Sequence, residues 1–205
     1  MKKSLLPKLF IGVLTAVLTA SQSYSGEAVI GAKAPDFTAT DSNGKTQSLA
    51  SYQGKIIVLE WLNRQCPFVR KHYSSGNMQM LQKTYTGKGV IWFSVISSAP
   101  GKQGYCTPEE ANAFVRENGA APSAVLLDPQ GTVGRLYGAK TTPHMFIINA
   151  DGVLVYDGAI DDKPSTDTTD VSGAKNYVQS ALDEILAGRP VTVATSQPYG
   201  CSVKY

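Results

Sequence analysis

The chain reads as an α/β protein: a central mixed β-sheet with helices on both faces and an N-terminal β-hairpin extension. Three observations predict it. After the opening hairpin the elements follow in the order strand, helix, strand, helix, strand, strand, helix, which packs as helix layers on a sheet. The strands at about 55–61 and at Val90 to Ile96 are apolar runs of the kind that a sheet covered on both faces requires. Near the C-terminus Tyr177, Val178, Ala181, Leu182, Ile185 and Leu186 recur at helical spacing, a stripe that must be buried against another layer.

The first residues set the compartment. Met1-Lys2-Lys3 with Lys8 forms a positive segment, Leu9 to Ala20 is apolar, and Ser21, Ser23 and Ser25 are small. This pattern predicts a secretory signal peptide over 1–25, cut after Ala20, Ser23 or Ser25. The apolar stretch is shorter than the roughly 20 residues of a membrane span. A retained anchor is the less favoured alternative, and no cysteine near the cut indicates a lipid anchor. With no second long apolar segment, the expectation is a periplasmic or secreted protein, off the membrane after signal cleavage. Residues 26–190 then form one domain, and 191–205 form a C-terminal tail carrying Cys201. The formal charge of +3 includes the lysines of the leader, so nothing suggests a nucleic-acid partner. Three cysteines allow one internal disulfide and leave a thiol over. Stapling by several bridges is excluded, which favours catalytic or regulatory use of the thiols.

Taken in order, Ala34 to Thr40 and Lys45 to Leu49 flank Asp41-Ser42-Asn43-Gly44, a turn sequence that predicts the hairpin. The strand at 55–61 leads to Cys66. Pro67 to about Tyr85 is helical, with a break near Ser74-Ser75-Gly76 and with Met78, Leu81 and Tyr85 on one face; Gly87 and Gly89 end it. After Val90 to Ile96 comes a loop, 97–106. Thr107 then offers an N-cap, Pro108 the first helical position and Glu110 the capping box of a helix to Asn118. Strands follow at 124–127, 144–149 and 153–157, the last two joined at Asn149-Ala150-Asp151-Gly152. The final helix begins near Ser172 and stops at Gly188, ahead of Pro190.

Cys66 carries the chemistry. It follows the strand and a short polar stretch and immediately precedes Pro67, so it sits at a helix N-terminus. The free N–H groups and macrodipole there favour a thiolate by about 0.3–1 kcal/mol, and by up to roughly 2 when partly buried. At about 1.36 kcal/mol per pKa unit the larger figure moves a thiol from about 8.5 to about 7, which predicts fast alkylation at neutral pH. Arg64 and Arg70 stand nearby to add to this.

Four segments together resemble the thioredoxin superfamily, specifically its peroxiredoxin-like (redoxin, AhpC/TSA type) branch with a single active-site cysteine. They are Gly31-Ala32-Lys33-Ala34-Pro35-Asp36-Phe37, the turn Asn63-Arg64-Gln65-Cys66-Pro67-Phe68-Val69, Thr141-Thr142-Pro143-His144, and the tail Tyr199-Gly200-Cys201-Ser202-Val203-Lys204-Tyr205. The resemblance implies the thioredoxin fold, a cis Pro143 packed against Cys66, and Thr142 backbone groups free to pair with an extended thiol partner. It places Asn63, Arg64, Thr142 and Pro143 at the substrate. Two departures matter. Val69 stands where thioredoxins have a second cysteine, so local dithiol exchange is missing. Leu59 and Asn63 replace the proline and threonine of typical peroxiredoxins, so only the Asn63 amide is left to orient a peroxide.

An oxidised Cys66 condenses with a nearby thiol. Cys201, on a flexible tail with Gly200 and Pro198 that can swing toward the active site, is expected to be that partner, with Cys106 as the competitor. His144 is an accessory candidate as a base. Glu60, inside a core strand, is another, as an edge group or a buried carboxylate that moves protons. His72 reads as a helix-face residue, and Asp157, Asp161, Asp162, Asp167 and Asp170 as a solvated acidic loop with no calcium spacing. The leading function is an exported thiol oxidoreductase, an antioxidant or a thiol–disulfide exchanger. It acts through Cys66 on a small peroxide or a protein thiol or disulfide, without a cofactor or bound metal and with an unidentified reductant. The alternatives are copper handling through cysteines and His144, or a non-catalytic binding module presenting the Pro143 surface.

Overall fold

The computed structural model describes residues 27–205; the predicted signal peptide lies outside the described residues. Among the described residues, nine strands and five helices follow the expected order with three additions. The strands are β1 (Thr38–Asp41), β2 (Thr46–Ser48), β3 (Ile57–Trp61), β4 (Ile91–Ile96), β5 (Ala124–Leu127), β6 (Thr141–Thr142), β7 (His144–Ile148), β8 (Leu154–Gly158) and β9 (Cys201–Ser202). The helices are α1 (Pro67–Ser74), α2 (Asn77–Thr86), α3 (Pro108–Glu117), α4 (Thr132–Leu136) and α5 (Tyr177–Leu186).

Seven strands form one mixed sheet in the order β2-β1-β5-β4-β3-β7-β8. Its centre is β3, buried along its whole length, parallel to β4 (Leu59 opposite Phe93) and antiparallel to β7 (Leu59 opposite Phe146). Alternation along β3 sends Ile57, Leu59 and Trp61 to one face and Val58 to the other, so each face has its own core. Residues of α1, α2, α3 and α5 cover the Val58 face. The Leu59 face is covered by Ala34, Phe37, Val133 of α4 and Tyr137. The sheet is therefore a two-sided platform with its catalytic-looking turn at the C-terminal end of β3.

Local signals worked where they were strong. Thr107 and Glu110 form the capping box of α3, each satisfying a backbone N–H of the other's turn. Gly76, with φ of 76°, separates α1 from α2 at the expected break. The final helix starts later than predicted. Thr168–Gly173 is a 3-10 turn, Ala174 is extended, and Asn176 caps α5 through Gln179 N.

The additions are α4 and the pair β6 and β9, besides two 3-10 turns at Leu49–Tyr52 and Thr168–Gly173. The tail is not free. Ala194 O accepts from Asp157 N, Ser196 N donates to Asp157 O, and Ser196 Oγ sits where a Cβ on Gly158 would be, 2.3 Å away. Beyond this, β9 pairs antiparallel with β6, Thr142 opposite Cys201 and Thr141 opposite Ser202. The last residues are tied by Val203 N to Lys140 O, Ala99 N to Lys204 O, and Tyr205 OH to Ala139 O.

Candidate active site

The turn that carries Cys66 is built by its own backbone. Asn63 O accepts from Cys66 N at 3.0 Å and Asn63 Oδ1 from Gln65 N at 2.9 Å, which closes the loop and aims the chain into α1. Cys66 is the N-cap residue and Pro67 the first helical residue, so the free N–H groups of the first turn gather at the sulfur. Across from it lies the loop of the cis Thr142–Pro143 bond. The Cys66 thiol donates to Thr142 O at 3.1 Å.

The strand pairing of β6 and β9 lays the tail over this sulfur. Cys66 is 0% exposed, and the Cys201 side chain lies beside it within hydrogen-bonding reach. Burial pushes the Cys66 thiol up, but hydrogen bonds from Cys201, the Thr142 side chain and the backbone N–H groups of Val69 and Cys201 outweigh it, and the thiol titrates below its ordinary value. For Cys201, burial and the neighbouring Cys66 push the same way, up to about 11. The pair therefore loses its first proton from Cys66, while Cys201 keeps the hydrogen that solvates the thiolate.

The remaining predicted residues divide between this site and other places. Thr142 is central; its single hydroxyl hydrogen faces both the Cys66 sulfur and Cys201 O, the latter at 3.4 Å. Its strand edge is occupied by the tail rather than open. Asn63 is buried beneath the Gly104 loop, where a Cβ on Gly104 would lie 2.4 Å from Asn63 Cγ, and its Nδ2 has no partner. Arg64 turns to Glu110 at 2.6 Å and neighbours Cys106, and Arg70 Nε donates to Arg64 O at 3.4 Å. Neither guanidinium is among the groups that lower Cys66.

Cys106 is buried, its thiol 3.5 Å from Gly104 O; burial raises its pKa and Arg64 opposes this. His144 has both ring nitrogens engaged elsewhere. Nδ1 accepts from Lys140 N at 3.2 Å, so Nε2 carries the proton that reaches Asp157 Oδ1 at 2.7 Å. Its ring stacks on Phe146, on the sheet face that Cys66 does not share. Glu60 is fully buried and accepts from Tyr73 OH, Gln82 Nε2, Trp92 Nε1 and Ser94 Oγ at 2.8–3.1 Å. Burial dominates these bonds and raises its pKa, and Cys66 is not among its partners. Among the described residues no group of three or more His, Cys, Asp or Glu side chains is arranged to hold a metal ion.

One cluster was missed. His72 and Asp161 are buried, not a helix-face residue and a solvated one, and they meet Tyr199 of the tail. Donors run in one direction: Asn176 Nδ2 to Asn77 Oδ1, Asn77 Nδ2 to His72 Nδ1, His72 Nε2 to Tyr199 OH at 3.1 Å, and Tyr199 OH to Asp161 Oδ1. Lys71, equally buried, donates to Lys163 O at 2.7 Å and stands 3.9 Å from Asp161 Oδ2. The available signal was the spacing of Val69, His72 and Tyr73, which places His72 on the core face of α1.

The profile of the AhpC/TSA family matches residues 30–157. Among solved structures, an uncharacterized conserved protein from Geobacillus kaustophilus superposes with a TM-score of 0.73 at 27% identity, covering 86% of this chain and 92% of that one. A hypothetical protein from Sinorhizobium meliloti 1021 gives 0.73 at 24% identity, covering 86% and 94%. A Chlorobium tepidum protein, described provisionally as the thiol:disulfide interchange protein DsbE, gives 0.51 at 27% identity, covering 63% and 84%. No curated protein sequence matches the chain.

Proposed function

Because the chain belongs to the AhpC/TSA family of the thioredoxin superfamily, we propose that it is an exported thiol oxidoreductase with Cys66 as nucleophile and Cys201 as resolving thiol. The observation that carries this reading is the Cys201 side chain held beside the Cys66 sulfur by the pairing of β9 with β6. The charged, apolar and small segments of residues 1–25 support export.

Two substrates lead to the same product. With a peroxide, the Cys66 thiolate attacks the O–O bond, the alkoxide or hydroxide leaves with the electron pair and takes up a proton, and Cys66 becomes a sulfenic acid. Attack by the Cys201 sulfur then expels water and forms Cys66–S–S–Cys201. With a disulfide, Cys66 forms a mixed disulfide and one thiolate leaves; Cys201 displaces the second thiolate and closes the same bridge. Each route removes two electrons from the Cys66–Cys201 pair, which an external thiol returns. The Chlorobium relative described as an interchange protein supports the disulfide route.

Mass mapping after treatment of the reduced protein with hydrogen peroxide, or with a small disulfide, tests the assignment. Two thiols are expected to disappear and a Cys66–Cys201 bridge to form, and Cys201→Ser under peroxide is expected to accumulate sulfinic Cys66. A Cys66–Cys106 bridge, or full turnover in Cys201→Ser without over-oxidation, would refute it.

A further inference from the structure

The segment Tyr199-Gly200-Cys201 is held side chain by side chain, beyond what strand pairing requires. The Tyr199 ring packs on Phe68 at 5.8 Å between centroids, with Lys71 Nζ 5.8 Å from its centre. Its hydroxyl donates to Asp161 and receives from His72, both buried. Gly200 has φ of 130°, and a Cβ there would stand 2.1 Å from Thr142 O, a backbone atom that cannot yield. Cys201 then reaches Cys66. A phenol pocket, a position with no room for a side chain, and a thiol position thus follow one another along the edge of β6.

Resting on the reading of Cys66 as nucleophile, we propose that this groove is a polypeptide-binding site. It takes an extended segment whose cysteine follows a glycine and, one residue earlier, a tyrosine, and the chain's own tail occupies it as a built-in copy of that substrate. The phenol donates to buried Asp161 Oδ1, which Lys163 N also reaches, and accepts from buried His72 Nε2, so an aliphatic side chain in this place would leave the His72 N–H bare. Selection at the glycine is steric and at the tyrosine polar, so the two are separable. The substrate class is a disulfide on such a segment, in preference to a small disulfide or a peroxide.

The test uses the full chain carrying Cys201→Ser, Tyr199→Ala and Tyr205→Ala, which removes the competing thiol and the tail's hold in the phenol pocket and at Ala139. Its substrate is a synthetic peptide of residues 196–205 whose cysteine is in disulfide linkage with thionitrobenzoate. The Cys66 thiolate attacks the peptide sulfur, the bond to thionitrobenzoate breaks, and the coloured thiolate leaves with the electron pair. The initial release rate, less that of the same chain with Cys66→Ser, is compared across peptides. Peptides carrying Gly200→Ala or Tyr199→Ala are expected to react at least about tenfold more slowly than the parent peptide, and Tyr199→Phe in between. A mixed disulfide of mercaptoethanol and thionitrobenzoate serves as the small control. Equal rates for all peptides alongside a reactive control would overturn the groove's specificity and leave Cys66 as nucleophile. No release even from the control would overturn the reading of Cys66 itself, and the proposal with it.

Discussion

Acidification is expected to unfasten the tail through His72. Burial is the largest influence on this imidazole, and nearby Lys71 adds to it; together they outweigh Asp161 and lower its pKa from 6.5 to about 4. The donor chain fits the neutral form, since Nδ1 accepts from Asn77 and only Nε2 carries hydrogen. Between pH 4 and 6.5 the unfolded chain binds a proton at this site that the folded chain refuses, so stability rises with pH across that window and is lost on acidification. Two populations differing by about 2.5 pKa units give a loss of about 2 kcal/mol at pH 5 and about 3 kcal/mol at pH 4, relative to pH 7.5. Urea unfolding at pH 4, 5, 6 and 7.5 measures it for the parent and for His72→Gln, which cannot titrate. The variant is expected to start lower at pH 7.5, having lost its fit to Tyr199, and to fall less on acidification by those amounts. Parallel curves for the two proteins would show that His72 does not titrate in this window, and the neutral donor chain from Asn176 to Asp161 would have to be redrawn.

Glu60 has the opposite sign: burial raises its pKa, so the folded state favours the neutral acid and stability falls as pH rises from the ordinary carboxylate range through the folded value. Glu60→Gln is expected to flatten that limb of the urea stability profile, whereas Glu60→Leu strands Trp92 Nε1 and costs about 1–3 kcal/mol. At the tail's end, a Cβ on Gly134 would meet the Tyr205 ring at 2.5 Å and Ser97 Oγ at 2.8 Å. Gly134→Ala is therefore expected to expel Tyr205 from its bond to Ala139 O and its stack under Arg135, to lower stability by about 1–3 kcal/mol, and to speed iodoacetamide capture of Cys66. Gly173→Ala, with nothing within 4 Å, should change neither stability nor capture.

What the sequence made legible was local. The strand into Cys66, the Cys66–Pro67 helix start, the break at Gly76 and the capping box of α3 each depend on residues within a few positions of one another, and each is where its pattern placed it. The order of elements was read from the residues, whereas the thioredoxin fold it packs into and the juxtaposition of Thr142 with Cys66, which spans 76 residues, came from resemblance. Strands of two residues, β6 and β9, have no periodicity to read, so the tail looked mobile although it is strapped at Asp157, Thr142, Lys140, Ala99 and Ala139. Charge was misjudged for the same reason. Arg64 and Arg70 are neighbours of Cys66 in sequence, but Arg64 points at Glu110; the thiol is tuned by Cys201 and Thr142, which only the fold brings close. The error in exposure follows. A helix N-terminus and a lowered pKa argue for a quick thiol, but reactivity also requires access, and β9 withholds it. The expected alkylation rate is thus the intrinsic rate of the thiolate multiplied by the small fraction of time the tail stands open. By that product the latch residues Tyr199 and Tyr205, bonded to Asp161 and Ala139 rather than to the sulfur, are expected to control how fast it reacts.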